Sequence, residues 1–169
     1  MISRTFTVLA ALAFASIATL QADSAWVIRE DGVGPAKVGM TLSQLNTALG
    51  ERFPMPTEKD DQGCFYVHSA KHAHISFMIV DGRLSRVDVD APGISTTEGI
   101  QVGDTEAKAL RVYGPQMKVD PHQYIDHGHY LTARSRDGRF GVRFETGKEK
   151  ITKFYGGLFE YIQAVEGCL

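Results

Sequence analysis

Apolar residues recur along this chain with two periods, and each period returns in the same order. Leu42, Leu45 and Leu49 stand at i, i+3 and i+7, one face of a 3.6-residue helix. A polar stretch, 51–63, follows. The period then shortens to two across three segments, 64–67, 74–80 and 83–89, which read as strands. Ile75, Phe77 and Ile79 alternate in the second of these; in the third, Val87 and Val89 oppose Arg86 and Asp88. Helical spacing resumes with Ala107, Leu110 and Tyr113. Three more strand patterns follow at 130–133, 140–146 and 150–155, where Phe140, Val142 and Phe144 oppose Arg143 and Glu145. Charged residues on the outer faces of such strands are expected to meet water.

The punctuation is duplicated as well. Thr41 is suited to cap a helix, and Gln44 three residues on completes a capping box. Gly50 suits the left-handed residue that ends one. In the second copy Asp104 or Thr105 caps, and Gly114-Pro115 stops the helix. Val38, Gly39, Thr41 and Gly50 match Val102, Gly103, Thr105 and Gly114 at one offset, 103 − 39 = 64. Asp81-Gly82 and Asp137-Gly138 are hairpin signals. The expected fold is α+β: tandem α-β-β-β repeats, with two short helices packed on an antiparallel sheet.

The N-terminus changes the picture of where this fold resides. Arg4, an apolar run over 6–20 and Leu20-Gln21-Ala22 have the order of a secretory leader. Residues 1–22 are read as that signal peptide, and 23–169 as one domain of two repeats, about 32–92 and 93–169. The apolar run is shorter than the ~20 residues a membrane span needs, so no stable membrane anchor is expected. Loss of Arg4 leaves a formal charge of 17 − 20 = −3. With no basic stripe, nucleic acid is not an expected partner. Cys64 and Cys168 are the two cysteines, and in an exported chain they are expected to form a disulfide.

Candidate chemistry concentrates in one segment. All six histidines lie between His68 and His129. His72 and His74, like His127 and His129, are spaced i, i+2, which in extended chain puts both rings on one side. With Asp126 nearby, these four histidines are candidate ligands for zinc or copper; the competing reading is two exposed pairs that never meet. Residues 120–130 are expected to form a loop, and loops on a rigid sheet carry recognition. His122, Tyr124, Asp126, His127, His129 and Tyr130 are the candidate binding residues. The corresponding stretch of the first repeat, 55–63, is charged and has neither aromatic residue nor histidine.

No nucleophile motif such as Gly-x-Ser-x-Gly is present. Asp88 with Asp90, or Glu145 with Glu149, could pair for acid–base work, but outer strand faces normally carry such charges. Val38-Gly39-Met40-Thr41, followed by Gln44, Leu45 and Gly50, resembles the Gly-Met-Thr repeat motif of β-lactamase inhibitory protein. It is similar too to that of the small lipoprotein of the β-barrel assembly machinery. The resemblance implies short helices on an antiparallel sheet, in tandem in the inhibitor. The whole chain is more similar to uncharacterised exported bacterial proteins with a tandem arrangement ending in Val165-Glu166-Gly167-Cys168. Two departures stand out: Gly103-Asp104-Thr105 replaces Gly-Met-Thr, and no lipidation cysteine is present. The expectation is a periplasmic or secreted, non-enzymatic binding protein without a cofactor, an inhibitor or envelope factor whose partner is another protein or an envelope component. The alternatives are a zinc- or copper-binding protein and a small hydrolase.

Overall fold

The computed structural model describes residues 26–59 and 63–168; the expected leader lies outside the described residues. Helix α1 (Leu42–Leu49) opens on a full capping box. The Thr41 hydroxyl accepts from Gln44 N at 3.3 Å, and Gln44 Oε1 accepts from Thr41 N at 2.9 Å. Gly50 ends the helix in the left-handed region at φ 58°, and Leu42, Leu45 and Leu49 are buried. Helix α2 (Glu106–Tyr113) repeats the design with Thr105 as cap and Ala109 and Tyr113 inside. It stops at Gly114-Pro115 as the sequence predicts, with Gly114 as its C-cap at φ 67°, and a separate 3-10 turn, Gly114–Gln116, follows. Proline is tolerated in a first turn, where its missing N–H costs nothing.

The large sheet is antiparallel throughout. Its strands are β4 (Cys64–His68), β5 (Ile75–Val80), β6 (Arg83–Val89), β8 (Lys118–Pro121), β9 (His129–Arg134), β10 (Phe140–Gly147) and β11 (Lys150–Leu158), in the order β4-β5-β6-β11-β10-β9-β8. A small sheet adds β1 (Val27–Arg29), β2 (Gly32–Val33), β3 (Ala36–Lys37) and β7 (Ser95–Thr96), ordered β3-β2-β1-β7, with β1 and β7 parallel. The fold is α+β, with the helices packed on a sheet. Four short strands and β8 were not legible in the period-two pattern: β8 takes Asp120 and Pro121 out of the expected loop.

Both copies use their conserved-in-sequence glycine in the same way. Gly39 N donates to Leu84 O (2.7 Å) and Leu84 N to Met40 O (2.8 Å); Gly103 N donates to Ile151 O (2.8 Å) and Ile151 N to Asp104 O (2.9 Å). Gly39 and Gly103 both sit at φ 92°, which a side chain rarely adopts. The first helical N–H is also met from the hairpin: Leu42 N by Gly82 O at 3.2 Å, Glu106 N by Glu149 O at 2.9 Å. The Val-Gly-x-Thr stretch therefore caps a helix and fastens it to the hairpin of its own copy. The hairpins share an irregularity as well. Register shifts fall between Met78 and Ile79 and between Glu145 and Thr146, and 145 − 78 = 67.

The helix-bearing face holds the apolar core. Leu45, Ile28, Val33, Phe77, Leu84, Val87, Ile100, Phe144 and Phe154 are fully buried there. Strand β1 crosses β11 at Gly156, where an added Cβ would lie 2.8 Å from the Arg29 carbonyl oxygen. Glycine is what allows the small sheet to settle this close.

The opposite face corrects a sequence expectation. One residue from each strand forms a row across it: His68, Ser76, Asp88, Tyr155, Arg143, Thr132 and Lys118. Arg86, Asp88 and Arg143 were expected to meet water, yet all three are buried, Arg86 to 2 % exposure; Thr132 in the same row is buried too. The cause is the C-terminal segment. Helix α3 (Phe159–Ile162) and the residues after it lie over this face, with Ile162 fully buried. Arg86 donates through Nη1 to the Tyr161 and Ala164 carbonyls, both at 2.9 Å, and Arg143 through Nη1 to Ile162 O at 3.1 Å. Arg86 also makes a bidentate pair with Asp88 (2.7 and 2.9 Å), donates to the Tyr66 hydroxyl, and stacks 4.2 Å from the Tyr155 ring centroid. The Cys64–Cys168 disulfide, with Cα atoms 5.3 Å apart, ties the end of this segment to β4.

Candidate functional site

The loop between β8 and β9 is closed by its own backbone. His122 N donates to Gly128 O and Gly128 N to Ile125 O, each at 2.9 Å. Only glycine fits at 128, because a Cβ there would meet the Thr146 carbonyl oxygen, His122 Cβ and Ile125 Cβ. His122 is the internal brace. Its Nδ1 accepts from Tyr124 N (3.1 Å) and Ile125 N (3.2 Å), which leaves the ring proton on Nε2, 3.4 Å from Glu145 Oε2. The ring stacks on Tyr130 with centroids 4.3 Å apart. Tyr130 in turn carries the Arg143 guanidinium 4.1 Å from its centroid. Burial pushes the Tyr130 hydroxyl pKa up.

Two of the candidate binding residues face into the structure. The His122 side chain is 4 % exposed and Tyr130 is buried, so these two hold the loop in place. What the loop displays is Tyr124, 61 % exposed, with Ile125, Asp126 and His127 beside it. Val119 on β8 is a further exposed apolar residue on the same segment.

Downstream, the loop is fastened to α2. His129 Nδ1 lies 3.0 Å from Glu106 Oε2, Thr146 Oγ1 donates to the same oxygen at 3.0 Å, and His129 N donates to Thr146 Oγ1 at 2.9 Å. Beside this junction is a cavity of about 740 Å³ lined by Glu106, Asp126, His127, His129, Lys148 and Glu149. Three of these residues, His127 (φ 59°), Lys148 (51°) and Glu149 (62°), hold left-handed backbone without being glycine. Such conformations cost free energy and collect at functional segments. Glu106 and Lys148 were missed in the sequence, which offered Glu149 only as a possible acid–base partner of Glu145. The available signal was that Lys148-Glu149 stands where the first copy has Asp81-Gly82, the turn chemistry such backbone favours.

The two histidine pairs do not converge. The His72 ring stacks on Trp26 at 3.3 Å, and His74 Nδ1 pairs with Asp90 Oδ1 at 3.0 Å, whereas His129 pairs with Glu106. β5 and β9 stand four steps apart in sheet order, about 19 Å at ~4.8 Å per step. Among the described residues, no three His, Cys, Asp or Glu side chains are grouped so as to hold a metal ion.

No protein-family model matches the sequence, and no curated protein matches it. Two solved structures are similar in overall shape. The uncharacterized protein yfeY from Escherichia coli is 15% identical, over 78% of this chain and 99% of its own, with a TM-score of 0.49. A DUF4309 family protein (YjgB) from Bacillus subtilis subsp. subtilis str. 168 is 15% identical, over 79% of this chain and 88% of its own, with a TM-score of 0.46.

Proposed function

We propose that this chain is an exported, non-enzymatic binding protein that recognises another protein or an envelope component through the 120–130 loop. The observation that carries the proposal is the division of labour within the loop: His122 and Gly128 fix its shape from inside, and Tyr124 and Ile125 stand out of it into solvent. A tyrosine on a pre-shaped loop offers area and a hydroxyl at low entropic cost on binding. The strained wall of His127, Lys148 and Glu149 adds a concave, charged flank to that convex tip. The disulfide and the leader-like N-terminus support an oxidising, exported location. Among the described residues no helix is long and apolar enough to cross a membrane.

The test is affinity purification from producing cells of the protein and of its Tyr124→Ala/Ile125→Ala variant. The variant is expected to lose more than tenfold of any bound partner, about 1.4 kcal/mol, with its unfolding midpoint unchanged. Undiminished recovery of the same partner by the variant would refute the assignment of the loop.

A further inference from the structure

The duplication that built the sheet left its two halves unequal at one place. The first strand of each copy is related by 64 residues and the hairpin that follows by 67, so Tyr66, His68, Ser76 and Asp88 correspond to Tyr130, Thr132, Arg143 and Tyr155. In the second copy large side chains occupy this place: Arg143 lies over the Tyr130 ring, and Tyr155 is 1 % exposed. In the first copy Ser76 and Asp88 stand instead. What remains is a cavity of about 250 Å³ lined by Tyr66, His68, Ser76, Asp88, Asp90 and Lys153. A space that the internal counterpart fills and this copy keeps open is a candidate binding site with its own built-in control.

We propose that this cavity binds a neutral, polyhydroxylated ligand the size of a single monosaccharide ring. The lining settles the chemical class. At the base, Asp88 is buried and already matched by Arg86 and by Lys153 Nζ at 3.0 Å. Lys153 keeps two further N–H donors, and Asp90, paired to His74 through Oδ1, keeps its other oxygen as an acceptor. Ser76 Oγ lies 2.8 Å from His68 Nδ1, and that hydroxyl has capacity left to donate or accept. An anion entering here meets two carboxylates, and a cation meets Lys153 above the buried Arg86. A hydroxyl group, which donates and accepts together, matches a lining that alternates donors with acceptors. The volume lies below the ~300–1,000 Å³ of sites for drug-sized molecules, which limits the ligand to about one ring.

The test is titration of the full, ¹⁵N-labelled protein, followed by amide chemical shifts, with four probes separately: D-glucose, myo-inositol, inorganic phosphate and L-lysine. Saturable shifts centred on residues 66–68, 76, 88–90 and 153 are expected with glucose or inositol, and none with phosphate or lysine. Ser76→Arg, which installs the residue of the filled counterpart, is expected to weaken binding at least tenfold. Lys153→Met, at a partly exposed position, removes a donor while leaving Asp88 its bidentate pair with Arg86, and is expected to weaken binding likewise; it serves if Ser76→Arg does not fold. Absence of saturable shifts with both polyols overturns the proposal. So does saturation by phosphate or lysine at these residues, or unchanged polyol binding in the folded variants.

Discussion

Asp88 and Tyr155 face each other across β6 and β11, and Tyr155 follows Asp88 by the same 67 residues that separate the two hairpin irregularities. The pair therefore marks where the axis relating the two copies passes through the sheet. Both residues serve Arg86, Asp88 as bidentate acceptor and Tyr155 as a ring 4.2 Å from its guanidinium.

Asp88→Ala leaves Arg86 buried with no carboxylate. The side chains of the pair are 2 % and 5 % exposed, so solvent offers little compensation. Loss of one partner of such a pair costs about 3–5 kcal/mol. Urea denaturation is expected to show a loss of this size, and a change within about 0.5 kcal/mol, the range for exposed positions, would contradict it.

Within the 120–130 loop, stability and recognition separate by residue. His122→Ala removes the stack on Tyr130 and the acceptor for two backbone N–H groups, and is expected to destabilise by about 1–3 kcal/mol. Tyr124→Ala, at an exposed tip, is expected to stay within about 0.5 kcal/mol of the parent. Thermal melts of the two single variants distinguish these outcomes. Equal effects would mean that the loop is not organised as described.

The disulfide spans 104 residues of sequence. Chain-entropy reasoning assigns a loop of about this size ~4–5 kcal/mol. Reduction also frees the segment whose carbonyls solvate Arg86 and Arg143. Denaturation with and without a dithiol reductant should show a drop of this order. Labelling of two free thiols in unreduced, denatured protein would remove the bridge from the account.

Alkali is expected to unfold the protein through its buried tyrosines. Burial, then the nearby Asp88, pushes the Tyr66 hydroxyl up to about 12, and burial also raises Tyr113 and Tyr155 above the ordinary value. A group with a raised folded-state pKa contributes stability below its unfolded pKa, here ~10, and loses it as pH climbs toward the folded value. Stability should therefore fall between about pH 10 and 12. Far-ultraviolet circular dichroism and the tyrosinate absorbance should change together in that window. Tyrosinate formation at the ordinary pKa with the fold intact would contradict the burial of these hydroxyls.

The elements that carry their signal locally were legible in the sequence. The Thr41–Gln44 box, the Leu42–Leu45–Leu49 face and the Asp81-Gly82 turn each depend on residues a few positions apart. Long-range cover was not. A period of two says that Arg86 and Asp88 oppose Val87 and Val89, and nothing in it says that α3 will lie over them. The burial of His122 was hidden for a similar reason. Its company of histidines, tyrosines and carboxylates has the composition of an exposed loop, while the stack on Tyr130 comes from a register that only the folded sheet creates. Glu106 joined the site through the same kind of distance, 23 positions before His129.

Site-specific photocrosslinking at position 124 tests the recognition surface most directly. A photoreactive phenylalanine replaces Tyr124 in one protein and Val112, exposed on α2, in another, and each is irradiated in producing cells. Discrete adducts from position 124 and none from position 112 are the predicted result. No adduct from position 124, or the same adducts from both, would contradict the assignment of this loop as the protein's recognition surface.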